Sequence, residues 1–196
     1  MKPTLLILVG PSAVGKTTVA ERIVKDHPTF SPIRSLTTRP PRGDEHDDEY
    51  LYTDKDGFEQ ALARGEILEH TLYADTLYGT PRSEIDRVVS LGKTPLLVLD
   101  INGAESLSKR ADTLSPCIIY LTESEQVLNR RLAERYLSGE GCDRERYDAR
   151  IRRNGWEREH FPEFSHLFYD VIEGKSTPSD TALAVIKSFE SFKNAN

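Results

Sequence analysis

Apolar residues run without a polar break at Leu5-Leu6-Ile7-Leu8-Val9, at Pro95-Leu96-Leu97-Val98-Leu99 just before Asp100, and at Cys117-Ile118-Ile119-Tyr120-Leu121. Runs of this length predict strands buried on both faces, because a half-exposed strand alternates apolar with polar positions. Val171-Ile172 marks a fourth strand. Between the runs, apolar positions recur at helical spacing. Residues 17–27 carry Val19, Ile23 and Val24 on one side, and residues 83–91, 104–111 and 123–136 follow the same rhythm. Buried strands alternating with helices predict a three-layer α/β fold, with a parallel central sheet covered on both faces.

Two stretches break the alternation. Over residues 35–80 the pattern becomes short half-polar strands, at 49–53 and 66–73, around a helix at 54–64. Over residues 137–153 it becomes polar, punctuated by Gly139 and Gly141. Both read as insertions above the sheet, on the side where ligands bind in such folds. A length of 196 residues suits one compact domain or one core with insertions. The longest apolar run falls far short of the roughly 20 residues a membrane-spanning helix needs, and the start of the chain does not read as a secretory signal. Cys117 and Cys142 suggest neither a metal cluster nor a disulfide scaffold, which points to a reducing cytoplasm.

The net charge of −6 argues against a general nucleic-acid binder. Its distribution is uneven. Eight of 17 arginines fall in residues 130–153, a segment whose five acidic residues leave it only +3. Arginine without lysine favours bidentate recognition of discrete anions over attraction to a long polyanion. A partner with a few phosphates fits that pattern.

Gly10-Pro11-Ser12-Ala13-Val14-Gly15-Lys16-Thr17 fits G-x-x-x-x-G-K-[ST] in full, between an apolar strand and a helix. In such a loop consecutive amides from Gly10, Ser12, Ala13, Val14, Gly15, Lys16, Thr17 and Thr18 face an anion. Lys16 adds a charge at the outer phosphates and Thr17 a hydroxyl for Mg²⁺. Asp100, at the carboxyl end of an apolar strand, is the natural second group for the metal; it can equally cap the following helix, and both roles can coexist.

Arg39 and Arg42 lie three residues apart, stiffened by Pro40 and Pro41, with the hydroxyl of Tyr50 following and that of Tyr78 further on. Together they form a small anion clamp. Glu69 and Thr80 offer a carboxylate and a hydroxyl that can read the N–H and carbonyl edge of a purine. With the phosphate loop, the string Ser35-Leu36-Thr37-Thr38-Arg39-Pro40-Pro41-Arg42-Gly43-Asp44, Glu49-Tyr50, the Ile67-Leu68-Glu69 segment, Tyr78-Gly79-Thr80 and the strand ending in Asp100 resemble the guanylate kinase family of nucleoside monophosphate kinases. The resemblance spans about residues 5–172.

That resemblance implies a P-loop core over residues 1–34, 81–136 and 154–196, a GMP-binding insertion over 35–80 and a helical lid over 137–153. It implies ATP and Mg²⁺ as cofactors. Arg39, Arg42, Tyr50 and Tyr78 would hold the phosphate of GMP; Ser35, Glu69 and Thr80 would face guanine, with Asp100 beside the acceptor. Arg131 and Arg135, one helical turn apart, and Arg150 would close over ATP and act in catalysis with Lys16. The implied reaction is ATP-dependent phosphorylation of GMP or dGMP by direct in-line transfer, in a cytoplasmic monomer or small homo-oligomer with small-molecule partners, no nucleic acid and no membrane. A kinase for another phosphate monoester, such as a modified purine nucleotide or ribose 1,5-bisphosphate, is the alternative. A catalytically silent guanylate-kinase-like binding module is a third reading, against which the intact Lys16 and Thr17 speak.

The chain departs from the family pattern at four places. Ala13 replaces a loop glycine, and a methyl group there is tolerable if the residue keeps φ negative. Asn102 stands where the family has a second aspartate, with two residues missing beyond it. The lid carries extra residues at 138–142, and Glu173-Gly174 replaces the Asn-Asp usual beside the adenine.

Overall fold

Neighbouring side chains of a strand point to opposite faces, and the central strands of this chain bury both. The computed structural model describes residues 2–41, 50–73, 75–138 and 142–195. Strands β1 (Thr4–Val9), β2 (Phe30–Pro32), β7 (Thr94–Val98), β8 (Ser115–Thr122) and β9 (Asp170–Glu173) form one sheet. Their order is β2-β7-β1-β8-β9, and every pairing is parallel.

Leu6, Leu8, Cys117, Ile119 and Leu121 point to one face, packing on Val19 and Ile23 of α1 (Lys16–Asp26) and on Val185, Ile186 and Phe189 of α7 (Pro178–Ala195). Leu5, Ile7, Val9, Ile118 and Tyr120 point to the other. There they meet Ile85 of α3 (Arg82–Ser90), Ile101, Ala104 and Leu107 of α4 (Ile101–Ser108), and Phe161 and Phe164 of α6 (Arg144–Phe164). All five residues of Leu5–Val9 are fully buried, each contributing about 1.5–3 kcal/mol of transfer free energy. That is why the uninterrupted run sits at the middle of the sheet. Helix α5 (Glu125–Tyr136) attaches through Leu128 and Leu132.

A second, mixed sheet is built from β3 (Ser35–Thr37), β4 (Tyr50–Tyr52), β5 (Ile67–Tyr73) and β6 (Thr76–Pro81), in the order β4-β3-β6-β5. Phe58 of α2 (Lys55–Ala63) packs with Ile67 beneath it. The sequence pattern misses several elements. Strands β2 and β3 are too short to register as apolar runs, β6 follows β5 too closely to be separated from it, and the pattern does not mark α7. The polar lid stretch also leads into α6, a single helix of 21 residues capped by the Asp143 side chain on the Arg146 amide. Among the described residues, no helix is long and apolar enough to cross a membrane.

Candidate active site

The chain leaves β1 at Gly10, where an added Cβ would lie 2.2 Å from the carbonyl oxygen of Leu121. Only glycine lets the loop pass β8 so closely. Gly15 (φ 106°) and Ala13 (φ 68°) both adopt left-handed backbone, which turns successive amides inward as an anion nest. The condition of a negative φ at Ala13 is therefore not met: loop curvature outweighs the steric preference of its methyl group, at a cost of about 1–2 kcal/mol. Helix α1 begins at Lys16, and no side chain caps its first amides, so they face the loop's interior.

Lys16 Nζ folds across this loop and donates to the carbonyls of Gly10 (2.6 Å) and Pro11 (3.1 Å). Its enclosure lowers its pKa to about 8; Arg150 and Arg153 push the same way, while Glu157 and Asp100 oppose. Arg131 Nη1 donates to the carbonyls of Ala13 (3.2 Å) and Val14 (3.3 Å), and Arg150 Nη1 to Ser12 Oγ (3.4 Å). Arg135 completes the arginine wall of a cavity of about 560 Å³, whose lining also includes residues 12–19 and Gly174, Lys175 and Ser176. Sequence-predicted donor residues thus converge from the loop after β1 and from α1, α5 and α6. Gly174, one of the departures, sits on this wall with its amide bonded to Thr122 O (2.9 Å).

Two residues here escaped sequence reasoning. Asn154, buried on α6, accepts from the Ser12 amide (2.7 Å) and donates to the Ser12 carbonyl (3.1 Å). Glu157, 3% exposed, accepts from the Tyr120 hydroxyl (3.0 Å), and its burial raises its pKa against the pull of Lys16. Arg150, Arg153, Asn154 and Glu157 follow i, i+3, i+4, i+7 spacing, the pattern that puts residues on one helix face. That signal was present in the sequence but reads as a solvated stripe until something is known to cover it.

Asp100 lies two residues past the end of β7 and caps α4: Oδ1 accepts from the Gly103 amide (2.8 Å), while Oδ2 faces Arg153 Nη2 (3.2 Å). Thr17 lines the donor cavity and also a second one, of about 630 Å³, with Ser35, Tyr50 and Thr80. The two cavities therefore meet at the start of α1. Among the described residues no cluster of three or more His, Cys, Asp or Glu side chains is placed to hold a metal. A hydroxyl and one carboxylate do fit Mg²⁺, which keeps several waters and takes phosphate oxygens for the rest of its octahedron.

Glu69 sits where the β5–β6 register slips by one residue, between the Ile67–Pro81 and His70–Gly79 pairs. Such a bulge re-aims a side chain, and Glu69 is only 7% exposed. Its Oε1 accepts from Thr80 Oγ1 at 2.5 Å. Burial raises its pKa, the Asp100 charge adds to this and the Thr80 bond opposes it. Two glycines make room: a Cβ at Gly79 would press on Ile67 at 2.7 Å, and one at Gly103 would stand 3.0 Å from Glu69 Oε2. The Arg39 guanidinium stacks over the Tyr50 ring at 4.7 Å, and Tyr50 meets Tyr78 edge-on at 6.1 Å. Tyr52, which the sequence reading did not select, accepts from Arg39 Nη2 (3.1 Å). Ser35 pairs with Tyr50 in register. Arg42 lies outside the described residues. Asn102 is exposed on the first turn of α4.

Comparison with known proteins gives the chain's family and fold relatives. A family model described as guanylate kinase matches residues 2–170. The chain is 30% identical to a guanylate kinase of Paramagnetospirillum magneticum over 91% of its length and 82% of the relative's. It is 35% identical to one of Synechococcus elongatus over 70% of its length and 75% of the relative's. Its fold is similar to the crystal structure of guanylate kinase from Anaplasma phagocytophilum, with TM-score 0.69, 22% identity, and coverage of 97% of this chain and 86% of that one.

Proposed function

The chain belongs to the guanylate kinase family, and we propose that its two cavities carry ATP-dependent phosphorylation of GMP to GDP. The observation that carries this reading is the meeting, at Thr17, of a complete phosphate loop with a cavity lined by Thr80, whose hydroxyl bonds the buried Glu69.

In this reading the loop amides and Lys16 hold the outer phosphates of ATP, with Lys16 exchanging its bonds to Gly10 and Pro11 for phosphate oxygens. Arg39, Arg42, Tyr50 and Tyr78 hold the acceptor phosphate. Glu69 accepts from both N1–H and the 2-amino group of guanine. Adenine offers neither donor there, so it would leave a buried carboxylate unmatched. The acceptor's phosphate oxygen is already a competent nucleophile, so the protein needs no covalent intermediate and no general base; positioning and charge suffice. Lys16, Arg131, Arg135 and Arg150 offset the charge spread over the transferring phosphoryl group. Thr17 and Asp100 would hold Mg²⁺, which neutralises phosphate charge when bound. Two free cysteines, Cys117 buried and Cys142 exposed, fit a reducing cytoplasm.

The test is a coupled assay with Mg·ATP against GMP, dGMP, AMP, UMP and ribose 1,5-bisphosphate. Turnover is expected with the guanine nucleotides, and Lys16→Ala should lower kcat by at least about 10²-fold. Activity confined to a non-guanine acceptor would overturn the reading.

A further inference from the structure

We propose that Asn154 is a positioning residue for the donor nucleotide, fixing the phosphate loop to α6 through both main-chain polar groups of Ser12. The proposal rests on the donor-site reading above.

The geometry is specific. One side-chain amide takes the Ser12 N–H at 2.7 Å and returns an N–H to the Ser12 carbonyl at 3.1 Å, as a neighbouring strand would. The loop has left the sheet by this point, since β1 ends at Val9. Asn154 therefore extends main-chain pairing to the third residue beyond the end of β1. It does so immediately before Ala13, whose left-handed backbone is the costliest turn of the loop. Each residue a ligand must order costs about 1–2 kcal/mol, so a loop already held in its curved form binds phosphate more tightly.

The same helix face connects the loop to the charged groups around it. Arg150 reaches the Ser12 hydroxyl, Arg153 reaches Asp100, and Glu157 is held by Tyr120. Asn154 lies between them, half-way along α6, and is 9% exposed. Both of its side-chain hydrogen bonds go to loop backbone, so it acts on phosphate through the loop's shape. Its loss should affect the donor nucleotide and spare the acceptor cavity, whose lining comes from α1, β2, β7 and the second sheet.

The experiment is calorimetric titration of Mg·ADP and, separately, GMP into the wild type, Asn154→Ala and Asn154→Asp, with thermal melts of each. Asn154→Ala is expected to weaken Mg·ADP by at least about tenfold, equivalent to about 1.4 kcal/mol, and to leave the GMP Kd within about twofold. Asn154→Asp should be at least as weak, because its carboxylate would oppose the Ser12 carbonyl. In turnover the KM for ATP should rise more than kcat falls. Equal loss of ADP and GMP affinity, wild-type ADP affinity in either variant, or a lowered melting temperature without an ADP-specific loss would overturn the proposal. If the wild type binds Mg·ADP but does not phosphorylate GMP, the functional reading fails, and the ADP arm still decides the role of Asn154.

Discussion

Ala13 carries a methyl group where the backbone favours none, and this makes it the clearest residue-level prediction. Ala13→Gly should raise stability by about 1 kcal/mol, less any flexibility the glycine adds to the unfolded chain. A denaturant midpoint moved upward at unchanged slope would register it. Glu69 is the second case. Its two oxygens are both committed to acceptance, one already bonded by Thr80. Glu69→Gln replaces one acceptor with a donor, so it should cut the guanine-over-adenine ratio of kcat/KM by at least about tenfold, and unchanged selectivity would remove Glu69 from base reading. The motif strings singled out Lys16, Thr17, Arg39, Glu69 and Thr80 because each belongs to a short run of neighbouring residues with its own local geometry. They could not reveal Asn154, Glu157 or Tyr52, whose partners lie 13 to 142 positions away along the chain.

At the scale of elements, the junction between the two sheets is held by one carboxylate. Glu84, 3% exposed at the start of α3, accepts from Arg34 N (3.1 Å), Nε (3.1 Å) and Nη2 (2.6 Å) and from Arg87 Nε (2.9 Å) and Nη2 (2.8 Å). Although burial alone would raise its pKa, the bonds from Arg34 and Arg87 overcome this and hold it at about 2. A depressed carboxyl pKa stabilises the fold fully above the unfolded value, near 4.5, and that contribution disappears as pH falls towards about 2. The arginines are partly exposed, so the contribution is about 2 kcal/mol after screening. Glu84→Gln should therefore lower stability by about 2 kcal/mol at neutral pH, and the gap to the wild type should shrink as the medium is acidified from pH 5 to 2. A constant gap across that range would deny Glu84 this role. Element identity was legible here because the apolar periods of α1 and α3 are strong. The extent of α6 was not, because its buried residues, Asn154 and Glu157, are polar and its apolar residues follow no helical period.

For the whole molecule, the donor and acceptor cavities share Thr17, and α6 reaches the donor loop through Arg150 and Asn154 and Asp100 through Arg153, so filling both should move that helix. Trp156 is the chain's one tryptophan, stacked on His160 at 4.5 Å with the Arg153 guanidinium 5.4 Å from its ring. Mg·ADP and GMP together should change its fluorescence more than the sum of their separate effects, because Arg153 links its ring to Asp100, whose charge acts on both Lys16 and Glu69. Strictly additive changes would show that the two sites do not communicate through α6. Sequence alone determined the layered parallel fold, the phosphate loop and the acceptor motif, since buried strands, helical periods and tight turns are encoded by neighbours a few residues apart. The tertiary structure decided the rest: that Ala13 accepts a left-handed bend, that a register slip turns Glu69 inward, and that Asn154 grips Ser12. Each depends on which distant backbone or side chain arrives to satisfy a polar group removed from water, and that pairing exists only once the chain has folded.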